Sequence, residues 1–361
     1  MILLDGLSKS FNDGTVAVDN ISLEIPSDQL TVLIGPSGCG KTTTLKMINR
    51  IVSPTAGKIY IDGVDTSTME PKKLRRQIGY VIQNIGLFPH MTVRENISTV
   101  PKLLKWNKNK TRERVERLMH LVGLDPSLYA EKLPRELSGG QAQRIGVARA
   151  LAADPPIVLM DEPFGAVDPL TRVRLQDEFV RIQRELKKTI VFVTHDIDEA
   201  IRLSDRIAVM AEGKVIQYDS AEEILASPAN KFVHDFMGSD RALKRLSRKS
   251  VGDFIESSEV VILSKGWGQF ESITESFVWA IDDEGRLVGW VHSSHSRDTD
   301  NLDEALTKLS AEEILLPECS IKEALSRMLE SGTTALPVAD KNKKFLGQIS
   351  LFKIQEMTRN A

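Results

Sequence analysis

The sequence predicts an α/β fold on a mostly parallel sheet, with a helical insertion and a smaller α+β module at its C-terminal end. Three observations carry this. Thr189-Ile190-Val191-Phe192-Val193 and Pro156-Ile157-Val158-Leu159-Met160 are short, β-branched apolar runs, as strands covered on both faces are. A glycine-rich loop separates the apolar Leu30-Thr31-Val32-Leu33-Ile34 from the helical Thr44-Leu45-Lys46-Met47-Ile48. Beyond Val251, two strand–turn–strand units resemble one another.

At 361 residues the chain exceeds one typical core, so more than one domain is expected. With 41% hydrophobic and 27% charged residues it has the composition of a globular protein and is not broadly disordered. A formal net charge of −3 gives no general attraction to nucleic acid. Its two cysteines, Cys39 and Cys319, lie far apart, so neither a disulfide framework nor a metal-ligand spacing is present. No apolar run approaches the roughly 20 residues of a membrane-spanning helix, and Ile2-Leu3-Leu4 is too short for a signal peptide. The expectation is a soluble, cytoplasmic protein whose contact with a membrane comes through a partner.

Along the chain, residues up to about 90 read as strands and turns around the glycine-rich loop. Residues 92–153 have a helical pattern, and strand and helix signals then alternate to about Gly238. Residues 239–250 carry the basic run Arg241, Lys244, Arg245, Arg248 and Lys249 and read as a connector to a module over 251–361. At three-to-four spacing the run is either a solvated linker helix or a face for anionic lipid headgroups.

Gly35-Pro36-Ser37-Gly38-Cys39-Gly40-Lys41-Thr42 matches the G-x-x-x-x-G-K-[ST] P-loop in the strand-to-helix context that the pattern requires. Glycines let backbone N–H groups close around a phosphate, and the following helix adds its positive end. Lys41 then serves the β/γ-phosphates and Thr42 a Mg²⁺ ion. In Ile157-Val158-Leu159-Met160-Asp161-Glu162 a buried strand ends in two acids, which places carboxylates at the sheet edge where nucleotides bind. Asp161 is the candidate Mg²⁺ partner and Glu162 the candidate general base.

Leu137-Ser138-Gly139-Gly140-Gln141, followed by Arg144 and the helical Ile145–Ala150, resembles the signature of the ABC ATPases. It is a second phosphate-reading helix N-terminus. The resemblance covers residues 1 to about 238 and implies a P-loop NTPase with a RecA-like ABC core and a helical subdomain. It implies a homodimer with ATP sandwiched between copies. ATP contacts then come from Phe11, from Gly35, Pro36, Ser37, Gly38, Cys39, Gly40, Lys41, Thr42 and Thr43, and from Gln83. The other copy's Ser138, Gly139, Gly140 and Gln141 complete the site. Mg²⁺ falls to Thr42, Gln83 and Asp161, the switch histidine is His195, and Asp168 is the D-loop residue at the dimer interface. Ala142 departs from the family, which often has glutamine there.

The run Ile78–Val93, with Asn96-Ile97 and Thr194-His195-Asp196-Ile197-Asp198-Glu199-Ala200, is similar to ATP-binding subunits of importers for glycine betaine, carnitine and choline. That implies an integral-membrane permease, a substrate-binding protein in the complex, a position on the inner face of the plasma membrane, and no nucleic-acid partner. ABC ATPases for other solutes, and non-transport ABC proteins, are the alternatives. A single cassette and a short span between Gln83 and Ser138 disfavour the second.

Ser320 through Ser350 resembles a CBS domain, and Phe277–Val291 a degenerate first copy. Where nucleotide-binding CBS repeats have an aspartate, this chain has His295 and Lys353, which argues against adenosine nucleotides. His292 and His295 have helix-like spacing but no cysteine or acidic companions, so a metal site is not expected. Trp267, Trp279 and Trp290 are expected to be core aromatics, with an aromatic cage for a quaternary ammonium as the alternative reading. A regulatory small ligand or anionic lipid remains the open partner of this module.

Overall fold

The computed structural model describes residues 1–359 apart from 84–85, 166–171, 173–175, 177–178, 181–182, 184–186, 273–276, 293–301 and 303. The chain forms two compact units, Met1–Gly238 and Ser239–Ala361. Among the described residues no helix is long and apolar enough to cross a membrane.

The first unit has two sheets. β1 (Ile2–Ser10), β2 (Val16–Ile25), β4 (Ala56–Ile61) and β5 (Val64–Asp65) form an antiparallel sheet in the order β2-β1-β4-β5. The second sheet runs β10-β9-β3-β8-β7-β6. Here β3 is Leu30–Ile34, β6 Ile78–Val81, β7 Ile157–Asp161, β8 Thr189–Val193, β9 Arg206–Ala211 and β10 Lys214–Asp219. β9, β3, β8, β7 and β6 are mutually parallel, and β10 joins antiparallel. Every residue of β3, β7 and β8 is buried, which is why these strands read as unbroken apolar runs.

Helix α1 (Lys41–Ile48) leaves the end of β3, and α2 (Pro71–Arg76) precedes β6. The helical subdomain contains α3 (Val93–Leu103), α4 (Lys108–Leu121), α5 (Pro126–Tyr129) and α6 (Gly139–Leu151). α3 starts at a full capping box, Thr92 with Glu95. Its amphipathic face puts Val93 and Ile97 into a core shared with Val115, Leu118, Ile145 and Ala148. α7 (Ile197–Leu203), α8 (Ala221–Ala226) and α9 (Lys231–Met237) follow in the same unit.

In the second unit the basic stretch is not a free connector. It forms α10 (Arg241–Leu246), in which Leu246 enters the core with Val251 and Ile321. Lys244 is buried and paired with Asp240 at 2.7 Å, so the five basic groups do not make one cationic face. β11 (Val260–Ile262), β12 (Phe277–Ile281), β13 (Leu287–His292) and β14 (Thr307–Lys308) form one sheet. β15 (Ala335–Ala339) and β16 (Phe345–Ser350) form a hairpin between α11 (Ile321–Ser331) and α12 (Leu351–Arg359).

The two hairpins repeat in detail. β12–β13 slips register between Ala280 and Ile281, and β15–β16 between Val338 and Ala339, one residue before the end of the first strand in each case. Their turns are tied together by Leu287 N–H to Lys343 O at 2.8 Å and Phe345 N–H to Gly285 O at 3.0 Å. Between β11 and β12 the first repeat has short 3₁₀ turns over Leu263–Lys265 and Trp267–Ser272. His292 ends a strand rather than lying on a helix, and His295 lies outside the described residues.

One buried side chain clamps the loop between β6 and α3. The Asn96 amide accepts from Phe88 N–H at 2.8 Å and donates to the carbonyls of Phe88, Met91 and Thr92 at 3.0–3.2 Å. Asn96→Ala strands these partly buried backbone groups, at about 1–3 kcal/mol for the unmet partners. We expect the unfolding midpoint of the first unit to fall by roughly 2–12 °C in a thermal melt. An unchanged midpoint would show that the loop does not depend on this clamp.

Candidate active site

The ends of four adjacent parallel strands build the site. In the order β3-β8-β7-β6, each strand hands its C-terminal end to one motif: the P-loop after Ile34, His195 after Val193, Asp161 closing β7, and Gln83 after Val81. Cross-strand register holds these ends level, with Leu33 opposite Val193 and Val193 opposite Asp161.

The P-loop's conformation demands glycine at two places. Gly35 has φ +156°, and a Cβ there would lie 2.0 Å from the Met210 carbonyl oxygen. Gly40 has φ +103°, and its Cβ would meet the Ala17 oxygen at 2.3 Å. Gly40 caps α1 in a left-handed conformation with no side-chain cap, so the first-turn N–H groups remain to be matched by an anion. Lys41 is buried, and its ammonium donates to Gly35 O at 2.6 Å and Pro36 O at 2.9 Å. Pro36, Ser37, Gly38 and Cys39 line a cleft of about 510 Å³ together with Glu212, Asn230 and Phe232.

Two pairings join the motifs. Thr42 Oγ1 donates to Asp161 Oδ1 at 2.9 Å. Gln83 Nε2 donates to Glu162 Oε2 at 2.9 Å, and His195 Nδ1 lies 3.1 Å from Glu162 Oε1. Glu162 has φ +45°, an unusual conformation for a glutamate, and its N–H donates to Val193 O at 2.9 Å. The Glu162 carboxylate lies between Gln83 and His195.

Burial raises the pKa of Asp161 against the stabilising Thr42 hydrogen bond and the Lys46 charge. Burial, and then the charge of Asp161, push the Tyr80 hydroxyl up to about 12, so it stays neutral beside the carboxylate. Among the described residues no group of three His, Cys, Asp or Glu side chains could hold a metal alone. A hydroxyl and one carboxylate beside a phosphate loop suit Mg²⁺, which completes its shell with water and substrate phosphates. The donor set therefore fits that ion.

Phe11 is 43% exposed at the tip of a tight turn, with Phe11 N–H donating to Thr15 O at 2.9 Å. Ser138 caps α6 in a capping box with Gln141 and stays on the surface beside Gly139, so this helix N-terminus is open to solvent. Thr43 lies in the first turn of α1, while Asp168 lies outside the described residues. Arg149 of α6 donates to Gly86 O at 2.7 Å and covers the Phe88 ring at 5.7 Å, tying the segment after Gln83 to the Ser138 helix.

Asn230 and Phe232 beside the P-loop escaped the sequence reading. The one available signal, Asn230 as a helix cap, speaks only of local structure. Also unforeseen is the buried pair in which Gln176 Nε2 donates to Glu199 Oε1 at 3.0 Å, four residues beyond His195.

A family model described as ABC transporter matches residues 18–165, and one for the CBS domain matches 312–356. The chain is 45% identical to the osmoprotectant import ATP-binding protein OsmV of Salmonella typhimurium, over 97% of this chain and 94% of that protein. It is 43% identical to the choline transport ATP-binding protein OpuBA of Bacillus subtilis, with the same two coverages. It is 44% identical to the carnitine transport ATP-binding protein OpuCA of Listeria monocytogenes, covering 97% and 90%. Among solved structures, the dimeric bacterial ABC transporter cassette MJ0796 aligns with a TM-score of 0.56 and 35% identity, covering 61% of this chain and 98% of that one. The same cassette bound to ADP and Pi gives 0.56 and 33%, with the same coverage.

Burial dominates the raised pKa of Glu199, opposed by hydrogen bonds from Thr194 and Gln176. The folded state then binds the proton more tightly than the unfolded chain. This group's contribution therefore makes stability fall as pH rises from about 4.3 through the raised folded value, and flatten above it. Denaturant titrations across the acid range should show Glu199→Gln losing that slope relative to the parent. Parallel profiles would mean that Glu199 does not titrate with folding.

Proposed function

We propose that this chain, which belongs to the ATP-binding subunits of ABC transporters and among them to the osmoprotectant importers, drives the uptake of a quaternary-amine solute. It is an ATPase, converting ATP and water to ADP and phosphate to energise import. Glycine betaine, choline, carnitine and related compounds are the solute class; the support is near-full-length identity of 43–45% to relatives named for such transport.

The observation that carries the site assignment is the Gln83–Glu162–His195 chain beside the Thr42–Asp161 pair. In this reading the amides of Gly38, Gly40, Lys41 and Thr42 and the Lys41 ammonium hold the β/γ-phosphates, and Phe11 stacks on adenine. Thr42, Asp161 and Gln83 hold Mg²⁺, which when bound neutralises charge on the phosphate oxygens. Glu162 accepts a proton from the water that attacks the γ-phosphorus, and the bond to the ADP oxygen breaks. Gln83 and His195 orient that carboxylate, and His195 also reaches the γ-phosphate. The open α6 N-terminus at Ser138–Gln141 reads the γ-phosphate of a second copy, so the working unit is a homodimer, with Asp168 at its interface. The dimer sits on the inner face of the plasma membrane, docked to a permease fed by a binding protein, with Gln83 and its following loop at the contact.

Glu162→Gln is expected to keep ATP binding while turnover falls by about 10²–10⁴. ATP should then hold the variant as a dimer in size-exclusion chromatography. Turnover near that of the parent would remove Glu162 from the role of base. Parent protein should hydrolyse ATP at a rate per chain that rises with concentration, because each site draws on two copies. A flat rate in a strictly monomeric sample would sink the shared site. Uptake of radiolabelled choline and glycine betaine by the intact complex tests the solute class, and transport of neither would overturn it.

A further inference from the structure

The β12–β13 hairpin carries an aromatic face that the ATPase does not use. Trp279 pairs across the ladder with Trp290, and Phe277 with His292, so all four rings lie on one side. The residues between them, Val278, Ala280 and Val291, form the opposite side and are fully buried in their own core. Phe277 stands edge-on to both indoles, with ring centroids 5.5 Å from Trp279 at 77° and 6.4 Å from Trp290 at 81°. Trp279 is fixed by its indole N–H, which donates to Gln348 Oε1 at 2.7 Å. Packing fills only part of the space in front of this face. The rings and Gly332–Leu336 line an open-sided pocket of about 240 Å³, with Glu313 also in its wall.

The chemistry of the lining selects a class of ligand. Aromatic faces attract cations through their quadrupole, and they suit a cation with no N–H donors to satisfy. Among the described lining residues Glu313 is the one acid, and none is a lysine or arginine. That carboxylate is held in place because Glu313 Oε2 accepts from Ser310 N–H at 2.7 Å. Arg327 donates to the neighbouring Ile314 carbonyl, but its charge is paired with Glu323 at 2.6 Å. The volume lies below the roughly 300–1,000 Å³ of pockets for drug-sized molecules, which favours a small solute over a nucleotide. Thr333 and Thr334 also line it.

We propose that this cavity binds a small trimethylammonium solute, so that the C-terminal unit senses the class of compound the transporter delivers. The choice of trimethylammonium among organic cations rests on the import reading above. The site itself rests on the rings, the carboxylate and the volume.

Isothermal titration calorimetry on the isolated full-length protein tests it, with choline as probe and its uncharged carbon analogue 3,3-dimethyl-1-butanol as control. Choline should bind saturably, and the analogue at least about tenfold more weakly. Trp290→Leu and Glu313→Gln should each weaken choline roughly five- to tenfold, the loss of about 1–1.4 kcal/mol. Trp290→Phe, which keeps a ring face and guards against a folding defect, should retain most of the affinity. ATP binding should be unchanged in all three variants. No saturable choline binding, equal binding of the neutral analogue, or affinity indifferent to both Trp290→Leu and Glu313→Gln would each overturn the proposal. Because no permease is present, these results stand apart from the uptake assay. Choline uptake by the complex without binding here would overturn the sensing site alone.

Discussion

The hydrogen bond from Thr42 Oγ1 to Asp161 Oδ1 joins the beginning of α1 to the end of β7 across the middle of the parallel sheet. Much else depends on the level edge that makes it possible. β3, β8 and β7 are buried along their whole length, so their register is set by packing on both faces, and their ends come out in a row. A slip of one residue in β7 would turn Asp161 away and carry Glu162 with it. The buried carboxylate, pushed towards its neutral form, is the cost of that arrangement, and the Thr42 hydroxyl and the Lys46 charge offset it.

Beyond this pairing the site is held by loops that answer to one another. The left-handed turn at Glu162 is anchored by its own N–H to the end of β8, from which His195 emerges. The segment after Gln83 is clamped by Asn96 from α3 and gripped by Arg149 from α6. α6 begins at Ser138, so a shift of the Gln83 loop is mechanically linked to the helix end proposed to read the partner's nucleotide. In an importer that linkage is the useful one, since the same loop is proposed to meet the permease.

Contiguity explains what the sequence made legible. The P-loop and the Asp161-Glu162 pair each sit in a run of a few residues whose chemistry is local, so spacing exposes them, whereas the Ser138 helix start and His195 were carried by the resemblance to the ABC ATPases. The buried parallel strands followed from apolar runs that lack alternation, whereas their order in the sheet did not. The twin hairpins were visible because both keep the same strand–turn–strand length. What stayed hidden depends on contacts between distant segments. Gln176 and Glu199 are polar residues that give no sign of being buried against one another. Asn230 and Phe232 come beside the P-loop only because α9 returns there. The basic stretch at 241–249 reads as solvated because its charges are frequent, yet Leu246 and the stem of Lys244 pack into the second unit.

The matched register slips of the two C-terminal hairpins allow the copies to be compared position by position. Phe277, Trp279, Trp290 and His292 in the first correspond to Ala335, Pro337, Gln348 and Ser350 in the second. The same backbone thus carries four rings in one copy and small or polar groups in the other, and the turns bind the copies together whatever those faces hold. Duplication has separated two demands that a single hairpin must meet at once. One face can drift in size and polarity to follow a new chemical cue while its twin, and the turn-to-turn bonds, keep the scaffold intact. A module of this kind can change what it answers to without any change in the engine to which it is attached.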